Sequence, residues 1–343
     1  MVGFVPMSEQ KIVAVIGATG YQGGGLVRAI LNDPDGGFAV RAITSDPSSA
    51  KAKALLAQGC EVVQGNWNDK ESLMHAFKGA FGVYCVTNFY ETFSPEGEMK
   101  QAKNMAEAAK EASVQHVIWS TQEDTRRWIP IDDDSMPTLM GNYKVPHFDA
   151  KGESDTFFEE LRVPTTYFLT PFYFENIVTY KMGPQRTEEG SLVFNLPLGD
   201  KKLPSIAAED IGKSAYGIFK RGPKLIGKYV GVAAEQLSGA EMASQMSEVV
   251  GETVVYKAVP YDVYRGFGSS FVALGNTFQF FHDFQDYFLG ARPVESTREL
   301  NPQLTSFKDW LAANKNQIIY NPANETSVAE ASFAVPMQFN STQ

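Results

Sequence analysis

The sequence contains few of the features that mark secreted or membrane proteins. Its 343 residues include two cysteines, Cys60 and Cys85, each inside an apolar stretch. We therefore expect buried thiols in a reducing compartment and predict the cytoplasm, with the nucleus as the alternative. Residues 1–10 show no signal-peptide pattern, and no apolar run approaches the roughly 18 residues of a spanning helix. No membrane association is expected.

Basic residues and histidines are also scarce. The 30 Lys and Arg against 40 Asp and Glu leave a net charge of −10. Such a chain repels phosphate backbones, so direct nucleic-acid binding is not expected. The four histidines lie far apart without ligand spacing, so we predict no metal site. The carboxylates at 132–134 are interpreted as a solvated loop, and the nucleophile motif G-x-S-x-G does not occur.

Strand and helix patterns alternate from residue 11 to about 170. Near-continuous apolar runs are typical of strands that are buried on both faces of a parallel sheet. The strands are predicted at 11–17, 39–44, 61–64, 82–87, 116–121 and 165–170. This order predicts an α/β fold, a Rossmann-type doubly wound parallel sheet with a smaller, irregular α/β C-terminal lobe.

Local signals place several helix ends. Asn68 with Glu71 fits a capping box, Ser238 with Glu241 fits a second, and Asp210 is predicted as the N-cap of a third helix. After Pro171 the chain becomes aromatic and rich in Gly and Pro. We predict an N-terminal extension at 1–10, a Rossmann domain at 11–171 rejoined by 207–222, a smaller substrate or partner lobe at 172–206 and 223–320, and a weakly ordered tail at 321–343.

A glycine-rich turn follows the first predicted strand. Gly17, Gly20 and Gly23 have G-x-x-G-x-x-G spacing and open a helix. The first glycine permits a sharp turn, the second lets backbone N–H groups approach a pyrophosphate, and the third permits close helix packing. The helix N-terminus adds unpaired donors and partial positive charge. This context predicts a nicotinamide-dinucleotide site.

The end of the second predicted strand bears on which dinucleotide binds. An NAD site usually carries an acidic residue there, whereas this sequence has Thr44 and Ser45. NADP(H) is therefore favoured, with NAD(H) as the alternative. No arginine stands at position 45 to bind the 2′-phosphate. The available substitutes are Ser45, Ser48, Ser49, Lys51 and Lys53, while Asp46 would oppose the two lysines.

The sequence resembles the NmrA-like branch of the atypical short-chain dehydrogenases over about 12–320. The resemblance rests on the glycine turn and on four further stretches: EVVQG at 61–65, VTN at 86–88, HFDAKGE at 147–153 and YFEN at 173–176. It implies a pyrophosphate site at Gly17, Thr19, Gly20, Gln22 and Gly23, an adenine-side site at Thr44, Ser45, Asn66 and Trp67, and a nicotinamide-side site at Thr87, Asn88, Ser120, Lys151, Tyr173, Phe174 and Asn176. Ser45 stands where similar NADP(H) binders carry arginine.

Position 147 bears on catalysis. Short-chain dehydrogenases use Tyr-x-x-x-Lys on one helix face, whereas here the pair is His147 and Lys151. Tyr143 precedes Pro146, where we expect the helix to begin, so Tyr143 lies off its face.

Three functions remain open. The chain is a redox-state sensor or regulator with a degenerate site, a reductase of a small apolar carbonyl, quinone or enone that uses Lys151 or His147, or an interaction module without a ligand. The resemblance to known sensors implies a regulatory protein partner, and a homodimer is considered. The aromatic residues at 267–288 could form core, line a pocket or dock a partner.

Overall fold

A computed structural model describes residues 10–319, so the predicted tail at 321–343 and nearly all of the extension at 1–10 lie outside it. The strands are β1 Lys11–Ile16, β2 Phe38–Thr44, β3 Glu61–Gln64, β4 Gly82–Cys85, β5 His116–Thr121, β6 Thr165–Leu169, β7 Phe172–Tyr173, β8 Gln185–Arg186, β9 Leu192–Leu196, β10 Lys202–Ile206, β11 Tyr229–Gly231, β12 Glu235–Ser238 and β13 Val254–Ala258.

The helices alternate with the strands in the first half of the chain and dominate its end. They are α1 Tyr21–Leu31, α2 Ala50–Ala57, α3 Lys70–Phe77, α4 Phe89–Thr92, α5 Pro95–Glu111, α6 Pro146–Glu160, α7 Asn176–Thr179, α8 Ala208–Arg221, α9 Gly239–Val250, α10 Tyr261–Arg265, α11 Ser269–Asp283, α12 Gln285–Gly290, α13 Val294–Leu300 and α14 Phe307–Ala313. No described helix is long and apolar enough to cross a membrane.

The central sheet is parallel and has the order β11-β6-β5-β4-β1-β2-β3. The α/β Rossmann-type prediction is confirmed. The chain order reverses between β1 and β4, and ligands of such sheets bind outside the strand ends at that point. Alternate residues of β1 face opposite cores: Val13 and Val15 pack on one side, Ala14 and Ile16 on the other.

The seventh strand of this sheet comes from the predicted smaller lobe. β11 is three residues long and pairs in parallel with β6 at the sheet edge. The remainder of the second half forms two small sheets, ordered β12-β10-β7 and β13-β9-β8, surrounded by helices. The aromatic side chains of α11 and α12 lie mostly in the core, with Phe278, Phe280, Phe281 and Phe288 buried. Phe267, which precedes α11, is 56% exposed.

Two predicted helix caps are wrong. The N-cap of α3 is Asp69, whose carboxylate accepts the N–H groups of Glu71 and Ser72. Helix α8 has Ala207 as its N-cap, and Asp210 lies within its first turn. The buried Asp210 carboxylate instead accepts the Thr305 N–H at 2.6 Å. The capping box of Ser238 and Glu241 is confirmed.

Helix α8 returns to the sheet by packing closely on α1. A Cβ on Gly212 would lie 2.6 Å from the Cα of Gly25, and a Cβ on Gly25 would lie 2.8 Å from the Glu209 carbonyl oxygen. Arg28 and Glu209 form a bidentate ion pair beside this crossing. Gly25 and Gly212 therefore serve the contact between the two helices.

We expect Gly212→Ala to destabilise the protein by about 2 to 3 kcal/mol, because overpacking outweighs the gain in helix propensity. Gly290→Ala is the matched control: it is helical, and a Cβ there meets nothing within 4 Å. Urea unfolding of the two variants provides the comparison. Equal stabilities would show that α1 and α8 can move apart at little cost.

Candidate functional site

The glycine turn joins β1 to α1 through backbone that excludes side chains. Gly17 has φ +66°, in the left-handed region that favours glycine. A Cβ on Gly23 would lie 2.7 Å from the Gly17 carbonyl carbon, so α1 approaches the turn as closely as backbone allows. Gly20 donates its N–H to the Gly17 carbonyl at 2.8 Å, which closes the turn.

Helix α1 begins with free donor capacity. Its N-cap is Gly20, and no side chain in the described part of the chain caps it. The first-turn N–H groups and the positive end of the helix dipole therefore face the exposed residues Thr19 and Gly20. This is the geometry of an anion site and fits a dinucleotide pyrophosphate.

The Gln22 side chain points away from this anion site and into the floor beneath the turn. Its Oε1 accepts the Ser120 hydroxyl at 2.8 Å and the Tyr84 hydroxyl, and its Nε2 donates to the Tyr173 hydroxyl at 2.6 Å. The Gln22 amide thus forms hydrogen bonds with hydroxyl groups on β4, β5 and β7. Ser120 is buried, and its hydroxyl donates to the Gln22 side chain.

The predicted adenine-side residues lie together at the ends of β2 and β3. Gly65 donates its N–H to the Thr44 carbonyl at 2.9 Å, and Gln64 donates to the Ser45 carbonyl at 3.1 Å. Asn66 is exposed, and its Oδ1 accepts the N–H of Asn68. Trp67 is half-buried and packs against the core.

An acidic side chain lies next to Ser45. The Asp46 carboxylate accepts the hydroxyl and N–H of Ser48 at 2.6 and 2.9 Å, and these hydrogen bonds lower its pKa. Asp46 is therefore anionic at neutral pH. An incoming 2′-phosphate would meet this charge together with that of Lys53, which lies near it.

Of the predicted nicotinamide-side residues, Thr87 contacts Lys151 directly. The Lys151 Nζ donates to the Thr87 hydroxyl at 2.7 Å and to the Thr87 carbonyl at 3.1 Å. The same Nζ lies 3.1 Å from Glu98 Oε1 and 5.3 Å from the centre of the Trp119 ring. Asn88 caps α4, with its Oδ1 accepting the Tyr90 N–H.

The structure places His147 one turn before Lys151 on α6, as its spacing requires. The imidazole lies among aromatic rings, with ring centres 5.9 Å from both Phe89 and Tyr90. Burial, reinforced by the charge of Lys151, lowers the pKa of His147 to about 4. The group is therefore neutral at pH 7.

Tyr143 does not replace the missing phenol. Helix α6 begins at Pro146, as predicted, and Tyr143 lies before it. Its hydroxyl donates to Glu96 at 3.3 Å, and burial together with that carboxylate raises the pKa of Tyr143 to about 12.

The YFEN stretch is divided between site and core. Tyr173 joins the site through Gln22 and lies 3.2 Å from the Thr170 hydroxyl. Phe174 is 0% exposed and packs against Phe307 and Trp310 of α14. Its side chain is therefore not accessible to a cofactor, contrary to what the resemblance implies. Asn176 is half-buried at the start of α7.

The sequence reasoning missed Glu98 and Tyr84. Glu98 shares a helix face with Ala102, Met105 and Ala109, all fully buried, and that spacing marked it as a core position. A carboxylate at such a position needs a partner. Tyr84 lies inside an apolar strand and gave no comparable signal.

The sequence predicts no metal site, because its histidines and cysteines lack ligand spacing. Among residues 10–319, no group of three or more His, Cys, Asp or Glu side chains could hold a metal ion. Cys60 and Cys85 are free and buried.

The resemblance can now be set against known proteins. Residues 9–311 match the NmrA-like family. The chain belongs to the NmrA-like family. It is 29% identical over 269 residues to the NmrA-like family domain-containing oxidoreductase FrzB of a Cladobotryum species, covering 72% of this chain and 76% of that one. A Dictyostelium discoideum NmrA-like family protein is 27% identical over 313 residues, covering 88% and 97%.

The fold of this NmrA-like chain also matches solved structures. The negative transcriptional regulator NmrA in complex with NADP aligns with a TM-score of 0.72 at 24% identity, covering 89% of this chain and 95% of that one. Its complex with NAD aligns with a TM-score of 0.73 over the same shares. The likeness confirms the fold.

The His147 pKa gives a pH prediction. An unfolded histidine titrates near 6.5 and the folded one near 4, so between these values the unfolded chain binds more protons. The contribution of His147 to stability should therefore fall as pH drops from 6.5 towards 4. His147→Phe should reduce the loss of stability on acidification. Burial also lowers the pKa of His116 to about 4, so His116 still contributes to that loss in the variant.

Urea unfolding at pH 7 and pH 5 measures the difference for each protein. The exposed His75→Asn is the control and should retain the wild-type pH dependence. A His147→Phe variant that loses as much stability as wild type would contradict a neutral imidazole at this site.

Proposed function

We propose that this NmrA-like protein binds NADP(H) and acts as a redox-state sensor or regulator with a degenerate dehydrogenase site. The observation that carries the proposal is the neutral imidazole of His147 at the position of the expected phenol, one turn from Lys151. Cofactor occupancy, rather than rapid turnover, is then the signal that the protein gives.

The glycine turn supports cofactor binding. Gly17, Gly20 and Gly23 leave a cradle that a Cβ would fill, and α1 offers its N-terminus uncapped by any described side chain. NmrA itself has been solved with NADP and with NAD. The nicotinamide ring would supply hydride chemistry when bound. NADP(H) is favoured because neither Thr44 nor Ser45 is acidic, and NAD(H) remains the alternative.

The proton chemistry around Lys151 supports sensing. A histidine whose pKa is about 4 is a neutral imidazole at pH 7 and therefore a much weaker proton donor than an imidazolium. The Lys151 ammonium is already bonded to Thr87 and paired with Glu98. In a cell the regulatory function implies a protein partner, or a second copy of the chain, that distinguishes the loaded from the empty form. Its setting would be the cytoplasm or the nucleus.

A reductase is the second candidate. The similar FrzB protein is named an oxidoreductase, and the rings of Phe89, Tyr90 and Phe93 beside His147 provide an apolar wall. Such a wall suits a small apolar carbonyl, quinone or enone. Lys151, or less readily His147, would then supply the proton.

Calorimetry and absorbance separate the two candidates. We expect NADPH to bind, and its absorbance in the presence of quinones, aldehydes and enones to decay no faster than without protein. Light scattering should detect a change of assembly between NADPH and NADP⁺, alone or with a partner. Steady consumption of NADPH would establish the reductase instead, provided that Lys151→Ala abolishes it. Lys100→Ala, which changes an exposed lysine, is the control and should leave that consumption unchanged.

Ser45→Arg tests the cofactor preference. A guanidinium at this position should pair with the 2′-phosphate and lower the Kd for NADPH about tenfold, with no effect on NADH. Ser45→Gln, long but uncharged, is the matched control. An equal gain for NADH would show that residue 45 does not face the 2′ position. A wild-type preference for NADH would contradict the NADP(H) preference itself.

A further inference from the structure

Glu98 is a carboxylate in an unusual environment. It lies in the first turn of α5 and is 0% exposed. Its Oε1 accepts the Thr87 hydroxyl at 2.7 Å and lies 3.1 Å from Lys151 Nζ. Its Oε2 is buried without a hydrogen-bond partner among residues 10–319. Buried carboxylates are rare unless paired, so Lys151 and Glu98 are best treated as one electrostatic unit.

Other carboxylates nearby do not share this position. Glu91 accepts the Asn88 amide, and Glu96 accepts the Ser94 and Tyr143 hydroxyls; both are exposed to solvent. Within the described residues, Glu98 alone forms an ion pair with Lys151. Its charge is also the least screened by water, since it is wholly buried.

The charge of this unit matters because the ligand changes charge. The oxidised nicotinamide ring is cationic and the reduced ring is neutral. A lone Lys151 ammonium beside the ring would repel the oxidised form and leave the reduced form unaffected. A carboxylate 3.1 Å from that ammonium cancels most of the repulsion.

We propose that Glu98 sets the redox preference of the cofactor site: by neutralising Lys151, it raises the affinity for the oxidised cofactor relative to the reduced one. The inference rests on the proposed function, since it requires the nicotinamide half of the cofactor beside Thr87 and Lys151. Glu98 is a positioning residue here, because it acts on the ligand through the ammonium of Lys151.

Paired titrations test this assignment. The Kd values for NADPH and NADP⁺ are measured by calorimetry for wild type, Glu98→Gln and Lys151→Gln. Glu98→Gln leaves an uncompensated cation and should raise the ratio Kd(NADP⁺)/Kd(NADPH) about tenfold. Lys151→Gln leaves an uncompensated anion and should lower the same ratio. Glu107→Gln, on the same helix with a partly exposed side chain, is the control and should leave the ratio unchanged.

The opposite signs distinguish electrostatics from damage. A purely structural role for Glu98 would weaken both cofactors equally and leave the ratio at its wild-type value, which would overturn the proposal. If Glu98→Gln does not fold, the sign of the Lys151→Gln shift decides, and an unchanged or raised ratio counts against it. Wild-type protein that binds neither cofactor would instead refute the proposed function itself.

Discussion

The close approach of α1 to the end of β1 is the constraint on which the site depends. Because Gly17 and Gly23 meet backbone to backbone, the first turn of α1 lies directly above the end of β1. That position aims the uncapped N–H groups outward. It also carries Gln22 inward to Tyr84 and Ser120, and brings Gly25 against α8. A side chain at Gly23 would displace all three contacts together.

The same helix connects the two halves of the molecule. Gln22 bonds to Tyr173, which begins the path to the smaller lobe, and Tyr21 bonds to Thr179 on α7 at 2.7 Å. Further along, the buried Arg292 pairs with Glu123 at 2.7 Å and also donates to the Thr170 carbonyl. These bonds join the lobe to the strand ends of the main sheet.

The sequence revealed the parts of the fold that depend on local pattern. Six strands of the main sheet could be predicted because strands buried on both faces are continuously apolar. β11 could not, since three residues carry no periodicity and its pairing with β6 is set by tertiary packing. Asn68 and Asp69 are both good N-caps, and only the backbone geometry selects the second.

The site shows the same division. The glycine turn and the spacing of His147 and Lys151 are local and could be predicted. Phe174 could not be placed, because Tyr173 beside it bonds to Gln22 while Phe174 packs on α14, more than 130 residues away along the chain. Arg292 and Glu123 are 169 residues apart in the sequence, so no local sequence pattern predicts their ion pair.

The loss of the phenol and the retention of Lys151 have a common physical explanation. In the tyrosine-dependent site the lysine both holds ribose and lowers the phenol pKa, so without the phenol its second task disappears. A buried ammonium would still require compensation, and Glu98 with Thr87 provides it. On the proposed function, Lys151 then remains a binding group at the nicotinamide end, while His147 is neutral and packs among aromatic rings. On the proposed function, such a site retains affinity for the cofactor while its capacity for proton transfer is reduced.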